Sequence, residues 1–204
     1  MYKSKRAVGV YDKIFLSYEK EFREPSEHIN DFLNLVHKNG DILDVGCGIG
    51  VDTNYIQSNG FKVIGVDLSK NMLKLAKRKF PEIDFRIEDM RKLQFESNSF
   101  DGIFVAYSLI HISKKEVFNV VKQLYHFLKS DGIIYFAVQE GKSEELFIKE
   151  PLNPEEDLFL NIFSYNELKD IIERVGFIII KKYTRKSMKK EELDFNKLFI
   201  LAKK

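Results

Sequence analysis

The stretch LDVGCGIG (43–50) limits the possible folds more than any other part of the sequence. The residues 41–46, which overlap its start, form a short apolar run typical of a buried strand, and a helical pattern follows the glycines to about Asn59. Three glycines at alternate positions, Gly46, Gly48 and Gly50, let backbone N–H groups approach a ligand closely at the positive end of a helix dipole. An ordinary tight turn does not need so many glycines. The stretch therefore predicts a ligand-binding loop between a buried strand and a helix.

The rest of the chain alternates strand-like and helical segments. The helical ones carry boundary signals: Ser69 begins a helix that Pro81 ends, and Ser113 and Ser164 are each followed three residues later by glutamate. An earlier helix is expected to end at Lys38. Such alternation favours an α/β fold with a parallel sheet covered on both faces. The strand predictions cover 41–46, 61–67, 84–89, 100–109, 133–138, 177–184 and 196–203.

The last two predicted strands are connected differently from the others. The residues between 184 and 196 show no helical pattern, which suits a hairpin better than a crossover. A turn is predicted at Ser130-Asp131-Gly132, ahead of the fifth strand. The sequence thus predicts a doubly wound sheet whose last strand is antiparallel.

The overall composition fits one globular domain over residues 1–204. The chain is 44% hydrophobic, has one cysteine and carries a net charge of +2, which by itself does not indicate a nucleic-acid-binding protein. No apolar run approaches the roughly 18 residues that a membrane span requires. The start of the chain lacks the long apolar segment of a signal peptide. We therefore expect a cytoplasmic protein without a disulfide.

Acidic residues follow the second and third predicted strands. Asp67 can accept hydrogen bonds from ribose hydroxyls, a device shared by several nucleotide-binding folds. Asp89 can accept from the exocyclic amine of adenine, while Leu68 and Met72 can sandwich the adenine ring. Together with the acid of the first strand, these groups suit a cationic sulfonium nucleoside better than an anionic pyrophosphate. The nicotinamide fingerprint also requires a third glycine where this chain has Val51.

The combined pattern resembles the class I S-adenosylmethionine-dependent methyltransferases, in particular their small UbiE-like and type 11 members. The resemblance covers roughly residues 10 to 204. It implies a Rossmann-like seven-stranded sheet of order 3-2-1-4-5-7-6, the last strand antiparallel, with an N-terminal helical lid. The matching segments are LDVGCGIG (43–50), VIGVDLS (63–69), IEDM (87–90), FDGIFVAYSLIHI (100–112) and LKSDGIIYFAV (128–138).

The resemblance also assigns site residues. The methionine end of S-adenosylmethionine would lie against the loop, and Asp67 would hold the ribose. Asp89 and Met90 would meet the adenine, and Ala106, Tyr107 and Ser108 would line the other side of the cofactor. Cys47, inside the loop, is expected to fill space rather than act as a nucleophile. The loop residues assigned to the methionine end are Asp44, Gly46, Gly48 and Gly50.

The residues that serve the methyl acceptor are less clearly marked. His111, just after the fourth strand, is the candidate general base, because neutral imidazole is available near pH 7. The alternative is that His111 only packs against, or caps, the helix that begins at Ser113. His28, His37 and His126 are expected on the surface of helices. No metal is expected, since no Asp/Asp/Asn cluster is present.

Two segments are expected to cover the site. In the N-terminal segment (1–38), Tyr11, Phe15, Tyr18 and Phe22 form one helical stripe. Such a stripe is often core, but the resemblance places a similar segment over the cofactor, with Tyr11 or Tyr18 touching cofactor or substrate. The second segment is the long connection 139–163, predicted as a substrate-covering insertion anchored by Leu146, Phe147, Leu158 and Phe159.

Three functional alternatives remain beside a small-molecule N-, O-, S- or C-methyltransferase. An RNA-modifying methyltransferase would use KKYTRKSMKK (181–190) to bind phosphates. A nicotinamide oxidoreductase would need the glycine spacing that the chain lacks. A non-catalytic protein would bind S-adenosylmethionine without transferring its methyl group. The acidic excess of 139–157 suits an amine or a neutral acceptor better than a polyanion.

Overall fold

The computed structural model describes residues 2–188 and 191–204, with side chains from Arg6 onward. Its helices are α1 (Tyr2–Glu21), α2 (Ile29–Leu33), α3 (Val51–Ser58), α4 (Lys70–Lys79), α5 (Lys114–Phe127) and α6 (Tyr165–Val175). Its strands are β1 (Asp41–Val45), β2 (Lys62–Asp67), β3 (Asp84–Ile87), β4 (Phe100–Ala106), β5 (Leu128–Glu140), β6 (Glu144–Glu150), β7 (Asn153–Ile162), β8 (Ile178–Arg185) and β9 (Asn196–Lys203).

Seven strands form one twisted sheet in the order β3-β2-β1-β4-β5-β9-β8. Strands β1 to β5 pair in parallel, and β9 runs antiparallel to both β5 and β8. Because β6 and β7 form a separate hairpin, this is the expected order 3-2-1-4-5-7-6 once the hairpin strands are left out. The predicted fold class and the antiparallel last strand are therefore confirmed.

Both faces of the sheet are covered by apolar side chains. On one face, Phe32 of α2 packs against Phe104 of β4, whose ring stacks on Tyr135 of β5 at a centroid distance of 4.3 Å. Residues of α5 and α6, among them Leu124 and Ile172, are fully buried against the opposite face. Burial on both faces explains why the central strands read as nearly continuous apolar runs.

Several predicted boundaries were wrong. The helix predicted to reach Lys38 ends at Leu33, after which the backbone continues as turns. The strands predicted over 84–89 and 100–109 end at Ile87 and Ala106. The predicted turn at 130–132 lies within β5, where Asp131 keeps a left-handed φ of 65° and the pairing with β4 shifts register. The turn residues therefore produce a local irregularity within β5, and the strand continues on both sides of it.

The connection 139–163 has regular structure of its own. Residues 139 and 140 continue β5, and the rest forms the antiparallel hairpin β6–β7. Leu158 and Phe159 are fully buried, as expected of anchors, whereas Phe147 is 45% exposed and lies under the Arg6 guanidinium. The hairpin is thus built into the core along β7, and the expectation that Phe147 anchors it was wrong.

The predicted helix caps form, with one difference. The Ser69 hydroxyl accepts from the N–H of Met72, and the Glu116 carboxylate accepts from the backbone N–H of Ser113. At the start of α6, the Ser164 hydroxyl accepts from the N–H of Glu167. The Glu167 carboxylate, however, pairs with Lys114 at 2.7 Å instead of closing a capping box. No helix in the described part of the chain is long and apolar enough to cross a membrane.

Candidate active site

The three glycines of the loop after β1 all have left-handed backbone conformations but different surroundings. A side chain on Gly46 (φ 80°) would place its Cβ 2.2 Å from the Cβ of Ser108. A side chain on Gly50 (φ 79°) would meet the ring of Phe85 at 2.7 Å. At Gly48 (φ 53°) nothing lies within 4 Å of the corresponding position. Gly46 and Gly50 are therefore required by packing, and Gly48 leaves open space beside the backbone.

The Asp67 carboxylate at the end of β2 is fixed by two backbone donors. One oxygen accepts from the N–H of Gly48 at 2.9 Å, and the other accepts from the N–H of Ser69 at 2.8 Å. Burial raises the pKa of Asp67, and these N–H groups act against that rise. Each carboxylate oxygen can accept a further hydrogen bond, so the group can still receive ribose hydroxyls.

Asp44 of β1 takes a different position from the other acids. Its side chain is almost completely buried and accepts from the Thr53 hydroxyl at 2.6 Å. Burial holds the pKa of Asp44 well above its ordinary value. Asp44 and Gly50 lie on the side of the loop that packs against the protein, and they line neither of the two cavities described below.

A first cavity of about 830 Å³, counting the space at its mouth, opens at the carboxyl ends of β1, β2 and β4. It brings together most of the residues that the sequence singled out: Tyr11, Gly46, Gly48, Asp67, Leu68, Met72, Asp89, Met90, Ala106, Tyr107, Ser108 and His111. Parallel strands end at one edge of a sheet, so side chains from distant parts of the chain meet there.

Arg91 holds the acid at the far end of this cavity. Its guanidinium donates to both oxygens of Asp89, at 2.9 and 2.6 Å, and contacts Glu116 at 3.2 Å. Burial opposes ionisation of Asp89, but the Arg91 contacts outweigh it and lower the pKa of Asp89. Sequence reasoning missed Arg91, although an arginine two residues after an acid could have indicated the pair.

Tyr11 and His111 form a hydrogen-bonded pair in the same cavity. Nδ1 of His111 lies 3.1 Å from the backbone carbonyl of Phe159, which can only accept, so Nδ1 carries the proton. Nε2 therefore accepts from the Tyr11 hydroxyl at 2.9 Å. Burial lowers the pKa of His111 to about 4. The imidazole is thus neutral near pH 7 and orients the Tyr11 hydroxyl.

A second, larger cavity of about 1450 Å³ adjoins the first. The residues common to both are Tyr11, Tyr18, Gly46, Gly48, Ala106 and Tyr107. Cys47 lines only the second cavity, and burial raises the pKa of its thiol well above the ordinary value, which makes it a poor nucleophile. The sequence did not single out Glu150, Gln139 or Lys197, which also line it.

Comparison with known proteins assigns this arrangement to a family. A family model described as a methyltransferase domain matches residues 42–132, which include the loop, Asp67 and Asp89. An uncharacterised methyltransferase of Alkaliphilus oremlandii (strain OhILAs) is 31% identical over 178 residues, covering 82% of this chain and 79% of the relative. The chain belongs to the class I S-adenosylmethionine-dependent methyltransferases. It spans about half the length, 46% and 45%, of two further curated relatives.

Solved structures share the fold of the methyltransferase at lower sequence identity. An S-adenosylmethionine-dependent methyltransferase from Methanosarcina mazei superimposes with a TM-score of 0.78 at 20% identity, covering 89% of this chain and 98% of that one. The 1,6-didemethyltoxoflavin N1-methyltransferase of Burkholderia thailandensis has a TM-score of 0.68 at 20% identity, covering 96% and 88%. That structure holds 1,6-didemethyltoxoflavin and S-adenosylhomocysteine.

Helix α1, which contributes Tyr11 and Tyr18 to the walls of both cavities, is tied to two other elements. Asp12 of α1 accepts from the Ser69 hydroxyl and from the N–H of Asn71, which ties α1 to the start of α4. Nearer the start of α1, Arg6 pairs with Asp157 of β7 at 2.9 Å. Asp12 lies directly after Tyr11, and sequence reasoning missed it.

Two of the four described cations in the basic run 181–190 of the methyltransferase are paired with carboxylates. Lys181 contacts Asp31 at 2.6 Å, and Arg185 contacts both Glu27 and Glu192, at 2.6 and 2.8 Å. Lys189 and Lys190 lie outside the described residues. Cations that already have carboxylate partners gain little from a phosphate, so this arrangement does not favour an RNA-binding surface.

The other histidines and possible metal sites add no catalytic group. His37 and His126 are exposed, as expected, whereas His28 is half-buried and stacks on Tyr183 at 3.8 Å. Within residues 2–188 and 191–204, no group of three or more histidine, cysteine or acidic side chains could hold a metal ion.

Proposed function

We propose that this methyltransferase transfers a methyl group from S-adenosylmethionine, bound in the first cavity, to a small-molecule acceptor bound in the second. The observation that supports this most strongly is the connection of the two cavities at Tyr11, Tyr18, Gly46, Gly48, Ala106 and Tyr107. Methyl transfer requires the acceptor atom to lie in line with the bond that breaks. Two adjoining cavities that share one wall can provide that alignment.

The residues of the first cavity fit the parts of the cofactor. The open space at Gly48 admits the methionine end close to the backbone, and Asp67 accepts from the ribose hydroxyls. Asp89, held by Arg91, accepts from the adenine amine, with Leu68 and Met72 against the ring. When bound, the sulfonium supplies an activated methyl group. Asp67 and the nearby acids favour its positive charge.

Tyr11 and His111 serve the acceptor side in this proposal. The Tyr11 hydroxyl donates to Nε2 of His111, which leaves the Tyr11 oxygen free to accept a hydrogen bond from an acceptor N–H or O–H. With a pKa of about 4, the imidazole is too weakly basic to hold a proton near pH 7. We therefore assign His111 the positioning of Tyr11 in preference to the general base predicted from the sequence.

The walls of the second cavity fit a small molecule. Residues 21–27 and Tyr18 line one side of it, and Glu150 of the hairpin lines another. In the adjacent basic run, Lys181 and Arg185 are already paired with carboxylates, which leaves them less available to the phosphates of a polymer. The solved structure of the Burkholderia thailandensis methyltransferase with bound 1,6-didemethyltoxoflavin and S-adenosylhomocysteine supports a small-molecule acceptor for a protein of this fold.

Calorimetric titration with S-adenosylhomocysteine, S-adenosylmethionine and NAD tests the cofactor assignment. We expect saturable binding of the two sulfur compounds and none of NAD. An Asp67→Asn variant should weaken S-adenosylhomocysteine binding about tenfold or more, because the amide cannot accept at both positions. Asp84→Asn, an exposed acid at the start of β3, is the matched control. Equal loss in both variants would contradict the assignment.

A further inference from the structure

Glu150 is a buried acid that the assignments above leave unused. It ends β6, is 5% exposed and lines the second cavity. One of its oxygens accepts from the N–H of Leu152 at 3.3 Å. No ion pair to Glu150 forms among residues 6–188 and 191–204. A buried carboxylate without a cationic partner lowers protein stability, which suggests that a ligand supplies the missing charge.

The Glu150 carboxylate lies on the inward face of β6. Side chains alternate along this strand, so that Ile148 is half-buried, Lys149 is exposed and Glu150 is buried. Tyr11 and Tyr18 of α1 line the same cavity as Glu150. Burial raises the pKa of both tyrosines, and the negative charge of Glu150 adds to that rise.

Among the described residues, none of the three basic side chains that line this cavity forms an ion pair with Glu150, and one of them, Arg23, is exposed. Arg185 is paired with Glu27 and Glu192. Lys197 donates to Gln139 at 2.9 Å and to the carbonyls of Leu193 and Phe195. In all, seven acidic and three basic residues line the cavity. The cavity is therefore electronegative, and an anionic acceptor would be repelled from it.

We propose that the acceptor is a small amine whose nitrogen is bound by Glu150, with Tyr11 and Tyr18 against its apolar part. This inference rests on the proposed function and narrows the acceptor class of the same site. The carboxylate suits an ammonium group because it accepts the N–H hydrogen bonds and neutralises the charge, and the tyrosine rings offer apolar surface to the rest of the molecule. The amine nitrogen is then both the recognised group and the nucleophile.

The transfer step balances with Glu150 as proton acceptor. The amine enters as R–NH₃⁺, and the Glu150 carboxylate takes one proton, which leaves R–NH₂. The nitrogen lone pair forms the N–CH₃ bond while the C–S bond breaks and its electron pair goes to sulfur. The products are R–NH₂⁺–CH₃, neutral S-adenosylhomocysteine and protonated Glu150, which then returns its proton to solvent.

Three probes of one shape test the proposal in the protein saturated with S-adenosylhomocysteine at pH 8. They are 2-phenylethylamine, 2-phenylethanol and 3-phenylpropionate, which differ in charge at the same position. Calorimetry should show the amine binding at least about tenfold more tightly than either other probe. Equal or undetectable binding of the three probes, or a preference for the anion, would overturn the proposal.

The matched variants are Glu150→Gln and Glu155→Gln, which remove one negative charge from a buried and an exposed position of the same hairpin. Glu150→Gln should lose the preference for the amine, and Glu155→Gln should keep it. Glu150→Asp, which retains the negative charge, should keep most of the preference for the amine. Because a buried charge is removed, the melting temperature of Glu150→Gln without ligand should be no lower than that of the wild type. A preserved preference in Glu150→Gln overturns the proposal.

The cofactor titration separates this inference from the proposed function. If S-adenosylhomocysteine fails to bind, the cofactor assignment itself is wrong. If S-adenosylhomocysteine binds equally to the wild type and all three variants while the amine preference is absent, only the role of Glu150 is wrong.

Discussion

Gly46 and Gly48 lie two residues apart in the loop after β1, yet a methyl group would have different consequences at each. At Gly46 it would meet the side chain of Ser108, whose hydroxyl donates to the carbonyl of Val45 at 2.6 Å. At Gly48 it would enter open space between the two cavities. One glycine therefore allows the fold, and the other leaves room for a ligand.

Alanine at each position separates these roles. Gly46→Ala should lower the free energy of unfolding by about 3 kcal/mol or more, from the clash together with the left-handed backbone. Gly48→Ala should cost only about 1 kcal/mol, since only the backbone conformation is unfavourable. Gly48→Ala should nevertheless bind S-adenosylhomocysteine about tenfold more weakly. Urea unfolding and calorimetry measure both effects, and unchanged affinity in Gly48→Ala would contradict the assigned cofactor position.

His111 predicts a pH dependence of stability. Its pKa is about 4 in the folded protein and about 6.5 when unfolded, so only the unfolded state binds a proton between these values. The stability it contributes is complete above pH 6.5 and is lost as the pH falls towards 4. We expect a loss of about 1 to 3 kcal/mol over this window, the lower figure allowing for partial exposure.

The variant His111→Asn offers the comparison for that titration, because the amide keeps a donor for the Phe159 carbonyl but does not titrate. The difference in unfolding free energy between wild type and His111→Asn, measured with urea from pH 7.5 to 4, should shrink as the pH falls. A constant difference across this range would show that folding does not lower the pKa of His111.

At the scale of secondary structure elements, the hairpin β6–β7 contributes both to the core and to the wall of the second cavity. Leu158, Phe159 and Leu160 of β7 are fully buried, while β6 faces solvent through Phe147. The same hairpin contacts α1 through the Arg6–Asp157 pair. Deleting the hairpin would therefore remove core residues, and it cannot serve as a test of acceptor binding alone.

Substitution of two phenylalanines tests this difference in burial between β6 and β7. Their rings contact each other at a centroid distance of 5.5 Å, but Phe159 is buried and Phe147 is 45% exposed. Phe159→Ala should lower the unfolding free energy by about 3 to 5 kcal/mol. Phe147→Ala should cost no more than about 1 kcal/mol, from lost contact with Arg6 and with Phe159. Similar losses in the two variants would show that β6 is also a core strand.

At the scale of the whole molecule, the first cavity, which we propose as the cofactor site, joins elements that are distant in sequence. The first cavity draws on α1, the ends of β1, β2 and β4, and the segment after β3. A ligand that bridges these elements binds only the folded chain, so binding stabilises the entire domain.

Thermal unfolding should show how much ligand binding stabilises the folded domain. S-adenosylhomocysteine at 100 times its dissociation constant should add about 2.7 kcal/mol of stability, which raises the melting temperature of a domain of this size by roughly 5 to 10 °C. NAD at the same concentration should produce no shift. A larger shift with NAD than with S-adenosylhomocysteine would contradict the cofactor assignment for this chain.

The sequence predicted those features that depend on local chemistry. The glycine loop, the acids after β2 and β3, and the caps at Ser69 and Ser113 are short motifs whose function follows from backbone geometry and side-chain type. Strand–helix alternation similarly predicted a doubly wound parallel sheet, and the family resemblance supplied its strand order. The ends of the strands were less predictable, since pairing with a neighbour and not local propensity extends β5 back to Leu128.

The amino-acid sequence alone determined the fold class, the cofactor loop and the set of side chains at the carboxyl edge of the sheet. Only the tertiary structure decided which of those side chains meet. The proton position on His111 depends on the Phe159 carbonyl, 48 residues away, and the cavity that Glu150 lines is formed together with residues of α1 and β9. Contacts between distant segments determine how deeply His111 and Glu150 are buried, and burial in turn determines their protonation and their partners. A local sequence pattern cannot predict these contacts.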